Sequence, residues 1–326
     1  MKKVLIAILL LGLLPHASAD YIHWVDFRLS APVLRSALEL DMASQGGEQP
    51  LDWIDILALA AAWRGGTGVT VADTQRAAQA LRGDTPPERL PGMAGRCFSY
   101  YRAAYGAALG GLVGHFAIRR TDPQTGEAEW IPAYGLKAFS PIAAGYPWSH
   151  YPDFGAQRSY GYARPHLGND ILGALGTPIC AVEGGTVEAL GWNRYGGWRI
   201  GIRSDDRKRY YYYAHLRKDT PYAEGLAVGQ RVQAGDVIGF MGRTGYSAQE
   251  NVNNIETVHL HFGLQLIFDE SQKECDSEIW IDVYPVIELL ASHCSSVARD
   301  PQTGRWERLY PYCDLDAEQL RSAAAR

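Results

Sequence analysis

The sequence predicts an α+β protein in which a small helical bundle over residues 20–112 precedes an antiparallel all-β domain over residues 113–290, with a tail at 291–326. Two features carry that expectation. Up to residue 109, apolar side chains recur at i, i+3 and i+4, the period of helices with one buried face. From His115 onward the texture changes to short β-branched and aromatic runs broken by Gly, Pro, Asp and Asn, as antiparallel strands joined by turns require.

Residues 1–19 stand apart from the fold. Lys2 and Lys3 open the chain, Val4 to Leu14 form one apolar run, and Ala17-Ser18-Ala19 supplies the small side chains that signal peptidase cuts after, so this segment reads as a signal peptide cleaved after Ala19. That run is well short of the roughly 20 residues a membrane-spanning helix needs, and no later stretch is apolar enough to span. The expected location is secreted or in the cell envelope, with no transmembrane segment in the mature chain.

Within the helical part, Pro32–Ala43, Asp52–Trp63 and Val71–Leu81 carry the helical spacing, and Phe98–Leu109 adds a fourth segment that ends at Gly110-Gly111. Gly65-Gly66 and Pro86-Pro87 separate them, since Gly and Pro both stop helices. Their Leu and aromatic stripes read as core faces, and no chemistry is visible on them. In the β part, Thr186–Leu190, Trp198–Arg203, Arg209–Ala214, Val237–Met241 and His259–Ile267 are the expected strands, with Ser204-Asp205-Asp206 as a hairpin connection. The pentapeptide Asp-Pro-Gln-Thr-Gly occurs at Asp122–Gly126 and again at Asp300–Gly304. Pro suits the second position of a turn and Gly tolerates positive φ, so the repeat reads as two similar hairpin loops.

Composition narrows the function classes. With 47% hydrophobic and 21% charged residues, a packed core is expected rather than disorder. A net charge of −5 leaves no broad basic surface for nucleic acid or anionic wall polymers, so a polymer substrate must be recognised locally, in a groove. The five cysteines permit at most two disulfides; Cys294–Cys313 is one candidate bridge, and Cys180, inside the apolar run Pro178 to Val182, reads as a buried thiol. No pair has C-x-x-C spacing, which excludes a thiolate-held zinc of that kind.

Four of the nine histidines fall in arrangements that ask for explanation. His166 and Asp170 stand as H-L-G-N-D, His259 and His261 as H-L-H, and His215 ends the run Arg209–Ala214. Alternate residues of a strand share a face, so His259 and His261 can both look into one site, and either can reach a metal. Gly168, Asn169 and Gly173 disfavour a helix through His166 and Asp170, which must then converge on a turn entering a strand. Two imidazoles and a carboxylate are a set suited to zinc with a fourth position open for water.

In order along the chain, HLGNDILGALGTPICAVEGGTVEALGWNRYGGWRIGI, YYYYAHL, VGQRVQAGDVIGFMGRTG and HLHFGLQL resemble the lysostaphin-type, or LytM-like, zinc metallopeptidases that cut peptidoglycan peptides. The resemblance spans about His166 to Gln265. It implies a LytM-like catalytic domain with one zinc ion per chain on His166, Asp170 and His261, and His215 and His259 as the two catalytic histidines. It further implies endopeptidase hydrolysis of stem peptides or cross-bridges in peptidoglycan, by a zinc-bound water assisted by those two histidines. The loop GYSAQENVNNIETV before His259 is longer than the short Gly/Ser connection expected. One rival is a non-catalytic module that activates or positions another wall hydrolase; the complete His/Asp set argues against it. A second, a lipoyl or biotinyl carrier hairpin at Val228–Gly242, lacks the lysine such a hairpin presents, for no Lys lies between Ala223 and Gly245.

Overall fold

The helical periodicity becomes four helices: α1 (Ala31–Ser44), α2 (Trp53–Arg64), α3 (Val71–Leu81) and α4 (Met93–Leu109). The computed structural model describes residues 22–273 and 277–324, so the signal-peptide reading and Cys275 lie outside the described residues. Local chemistry sets the helix ends. Asp52 accepts the Ile54 amide at the start of α2, Gly65 closes that helix at φ 65°, and Thr70 and Asp73 form a reciprocal capping box on α3. The Ala-rich α2 packs against α1, α3 and α4 and is buried along most of its length. Buried Asp41 on α1 accepts from the Trp53 amide (2.9 Å), Gln45 Nε2 (2.8 Å) and the Tyr134 hydroxyl (2.8 Å), so one carboxylate ties two helices to the strand Ala128–Leu136.

Antiparallel pairing dominates from Val113 onward. The main sheet runs in the order Arg231–Val232, Gly185–Asn193, Gly197–Ser204, Arg209–Ala214, His259–Leu266, Asn169–Gly173 and Trp148–His150, with Ile279–Trp280 also paired to His259–Leu266. Alternation along the central strands divides its faces. Tyr211, Tyr213, Leu260, Phe262 and Leu264 are buried in the core, Tyr213 and Phe262 with ring centroids 5.2 Å apart. The residues between them, Tyr212, His259 and His261, turn the other way.

The all-β expectation for residues 113–290 fails at α5 (Tyr284–Leu290), which packs against α1. Only seven residues long and apolar on most sides, α5 has no amphipathic period to read. The tail is structured too: Val297–Arg299 pairs with Trp306–Arg308, Tyr312–Asp314 joins the sheet of Val113–Thr121 and Ala128–Leu136, and α6 (Leu315–Ala324) follows. Buried Lys137 fastens it by ion pairs to Asp314 (2.9 Å) and Asp316 (3.1 Å). Cys97, Cys180, Cys294 and Cys313 are free thiols, so the Cys294–Cys313 bridge is not formed. Each of that pair has a local partner instead, the Ala291 carbonyl for Cys294 and Glu318 for Cys313. Both Asp-Pro-Gln-Thr-Gly copies are hairpin loops of one design: Asp122 and Asp300 each accept two backbone amides, and Gly126 and Gly304 sit at φ 74° and 75°.

One cation joins the helices to the sheet. Arg209, 1% exposed, pairs with Glu183 (2.7 Å) and Asp206 (2.9 Å) and donates to the Ala107 carbonyl (2.7 Å) in the last turn of α4, where the helix dipole favours positive charge. Tyr211 donates its hydroxyl to the same Glu183 (2.6 Å). Removing one partner of a buried pair strands the other, so Arg209→Met is expected to lower the unfolding free energy by about 3–5 kcal/mol in urea titrations followed by tryptophan fluorescence. A change within about 1 kcal/mol would mean that the cluster does not hold the two parts together.

Candidate metal centre

Three elements deliver the site. His166 lies in the loop after the short strand Arg164–Pro165, Asp170 on Asn169–Gly173, and His261 on His259–Leu266. Asp170 and His261 are register partners, so their side chains emerge side by side on the sheet face away from the core. His166 Nε2 lies 2.7 Å from His261 Nδ1 and 3.0 Å from Asp170 Oδ1, and His261 Nδ1 lies 3.1 Å from the same oxygen. A tetrahedral ion with bonds of about 2.0–2.1 Å separates its ligand atoms by roughly 3.3 Å, so the sides of this triangle need to open by about 0.2 to 0.6 Å to hold one. Gly168 makes the closeness possible: a Cβ there would stand 2.7 Å from His261 Cε1 and 2.6 Å from the Phe262 carbonyl oxygen.

The electrostatics point the same way. Burial disfavours a charged His166, yet hydrogen bonds with Asp153 and Asp170 outweigh it and raise its pKa to about 9. Burial likewise opposes ionised Asp170, and hydrogen bonds from His166 and His261 overcome it, holding the carboxyl far below the usual range. Two carboxylates, Asp153 and Asp170, converge here beside the single guanidinium of Arg158, a charge balance that a bound cation would complete.

His215 and His259 border this triangle without joining it. Their rings lie 4.7 Å apart, and His259 Nε2 is 3.8 Å from Asp170 Oδ1. A carbonyl oxygen can only accept, so the bonds from His215 Nδ1 to Thr244 O and from His259 Nδ1 to Thr257 O, both 2.9 Å, put the proton of each neutral ring on Nδ1 and leave Nε2 with its lone pair. Burial, and then the neighbouring imidazoles, hold the pKa of His215 well below the ordinary histidine value. Thr244 is itself fixed, donating its hydroxyl to Leu216 O at 2.6 Å.

The structure thus brings together all five residues singled out from the sequence, and it adds others. Asp153, thirteen positions before His166, shares the His166 Nδ1 proton between its carbonyl (3.1 Å) and its carboxylate (3.2 Å), and also accepts from Asn169 Nδ2 (2.9 Å) and Arg158 (2.9 Å). Arg158 reaches Asp170 Oδ2 as well, at 3.0 Å. Metal-binding histidines commonly give their second nitrogen to such a carboxylate, but no spacing rule picks Asp153 from the other acids of the chain. Asp153→Ala should therefore weaken divalent-metal binding about 10- to 100-fold in competition with a chromogenic chelator, with near-ultraviolet circular dichroism reporting an intact fold. Undiminished affinity would remove Asp153 from the site.

Comparison with known proteins finds a family match and several relatives. Residues 164–274 match Peptidase family M23. An L-Ala–D-Glu endopeptidase of Bacillus subtilis is 35% identical over 177 residues, covering 51% of this chain and 52% of that protein. Lysostaphin of Staphylococcus simulans is 37% identical over 98 residues, 30% of this chain and 17% of that protein. The chain thus spans about half the length of the first relative and less of the second. Among solved structures, a candidate glycyl-glycine endopeptidase lytM from Ruminococcus gnavus aligns with 82% of this chain and 91% of its own at 25% identity and a TM-score of 0.47.

Proposed function

Residues 164–274 are a Peptidase family M23 domain, and on that premise we propose that the chain is an exported zinc endopeptidase that hydrolyses peptide bonds in the stem peptides or cross-bridges of peptidoglycan. The observation that carries the reading is the convergence of ligand atoms from His166, Asp170 and His261, all within 4.8 Å of one another, beside two imidazoles tethered by backbone carbonyls. The substrate class is supported by the names of the relatives, one of them an L-Ala–D-Glu endopeptidase. Export is supported by the basic, then apolar, then small-residue pattern of residues 1–19; among the described residues no helix is long and apolar enough to cross a membrane. In this reading residues 113–290 carry the chemistry, and residues 20–112 and the tail at 291–326 pack around them.

His166, Asp170 and His261 would hold the zinc ion, which would supply a Lewis acid for the scissile carbonyl and acidify water for attack near neutral pH. The rest falls to the protein. His215 and His259 present basic Nε2 atoms toward the reacting centre, and burial keeps His215 neutral and ready to accept. One of the two takes the proton of the attacking water. Once protonated, its Nε2–H becomes a donor, able to stabilise the tetrahedral oxyanion or to pass the proton to the leaving amine. Asp153 keeps His166 turned with Nε2 inward, and Arg158 holds the second oxygen of Asp170.

Ligand and proton carrier are separable by experiment. Asp170→Ala and His261→Ala should carry well under one zinc per chain, whereas His215→Ala and His259→Ala should keep zinc and lose about 10²- to 10⁴-fold in turnover of purified sacculi, scored as new amino termini. Full zinc in the first pair, or normal turnover in the second, would refute the assignment.

A further inference from the structure

The pocket that opens onto the metal ligands contains one cation with no counter-charge. Two arginines line it, Arg158 and Arg164. Arg158 is neutralised by Asp153 and Asp170. Arg164 is not: its one hydrogen bond runs from Nη1 to the Tyr160 carbonyl at 3.0 Å, and among the described residues no carboxylate pairs with it. Aromatic rings hold it in place, with its guanidinium carbon 4.7 Å from the ring centroid of Tyr195 and 5.7 Å from those of Tyr162 and Tyr246. Tyr246 in turn stacks on Tyr160 at 4.8 Å. The side chain is half-buried and already ordered by this clamp, while four of its five N–H groups lack an acceptor.

We propose that Arg164 selects peptides with a free carboxylate beside the scissile bond, so that the enzyme prefers acidic stem peptides to uncharged bridge peptides. The proposal rests on the reading that this pocket takes peptidoglycan peptides. A planar guanidinium offers paired N–H donors that match a carboxylate, and the Tyr195 ring, 4.7 Å below the guanidinium carbon, restrains the side chain before the substrate arrives. Its position does the rest: Arg164 precedes His166 by two residues and lines the same pocket as His166, Asp170, His215 and His261, so a group it binds occupies the pocket that holds the candidate ligands. A purely structural clamp would need only the flat rings and an aliphatic stem, not an unpaired charge at the mouth of the pocket.

The test uses the zinc-loaded full chain and two synthetic peptides, L-Ala-γ-D-Glu-L-Lys-D-Ala amide with its glutamyl carboxylate free, and the same peptide with that carboxylate converted to a carboxamide. Wild type should favour the acid in kcat/KM by about 10- to 100-fold, the scale of a hydrogen bond to a charged group. In Arg164→Gln the ratio should fall toward one, and Arg164→Lys should restore part of it. A wild-type ratio near one, or an equal loss on both peptides in Arg164→Gln, overturns the proposal. If wild type cleaves neither peptide yet releases new amino termini from sacculi, the endopeptidase reading stands and the preference for acidic stem peptides fails; if it releases none from sacculi either, the endopeptidase reading fails, and calorimetric binding of the same pair decides the role of Arg164 independently. Tighter binding of the acid, abolished in Arg164→Gln, supports it; equal affinities, or no binding of either peptide, overturn it.

Discussion

The ladder that sets Asp170 opposite His261 is the constraint on which the rest of the site depends. A strand has a period of two, so slipping Asn169–Gly173 by one residue would send Asp170 into the core and bring Ile171 out. The slip is blocked from the buried side. Ile171 and its partner Leu260 are fully enclosed, and Phe262 is wedged against Tyr213. Apolar packing on one face thereby fixes the positions of polar atoms on the other. Small residues complete the arrangement: Gly168 leaves room for the His261 ring, and at Gly263 a side chain would meet the Trp280 ring at 2.8 Å.

The molecule treats its two buried charge clusters differently. Around Arg209, every charge has an opposite within hydrogen-bond reach, and the surplus N–H groups end on helix carbonyls. Such a network is satisfied and does nothing but hold. At the candidate metal triangle two carboxylates again face one guanidinium, Asp153 and Asp170 on Arg158, but here imidazole nitrogens of His166 and His261 also crowd Asp170 Oδ1 at 3.0 and 3.1 Å and lie 2.7 Å from each other. Buried like charges are tolerated when something binds them. The contrast within one chain is between a cluster whose donors and acceptors are matched and one that gathers three metal-type ligand atoms around a single point.

How much of this was legible in the sequence varied with the range of the interaction. The helices α1 and α3 were readable because each carries apolar residues at helical spacing, α2 because its apolar run is bounded by Asp52 and Gly65, and the strands carrying Tyr210–Tyr213 and His259–His261 because alternation is local. α5 and the short strands were not, since a few residues cannot express a period. The five candidate residues came from their order along the chain and a family resemblance; periodicity alone left His259 and His261 equivalent. Asp153, Arg158, Thr244 and Thr257 were invisible because their roles depend on contacts made across the fold or with ordinary backbone carbonyls.

His215 occupies a left-handed backbone conformation, φ 62°, which disfavours residues bearing a Cβ by roughly 1–2 kcal/mol. The strand Arg209–Ala214 ends just before it, and that turn of the backbone lets Nδ1 reach the Thr244 carbonyl. Stability and chemistry therefore rank the possible residues here in opposite orders. Glycine, which adopts this conformation freely, relieves the backbone and removes the imidazole. A lineage selected only for a sturdier fold would drift away from histidine at this position, so keeping it there would register selection for what the imidazole does and not for the backbone that carries it.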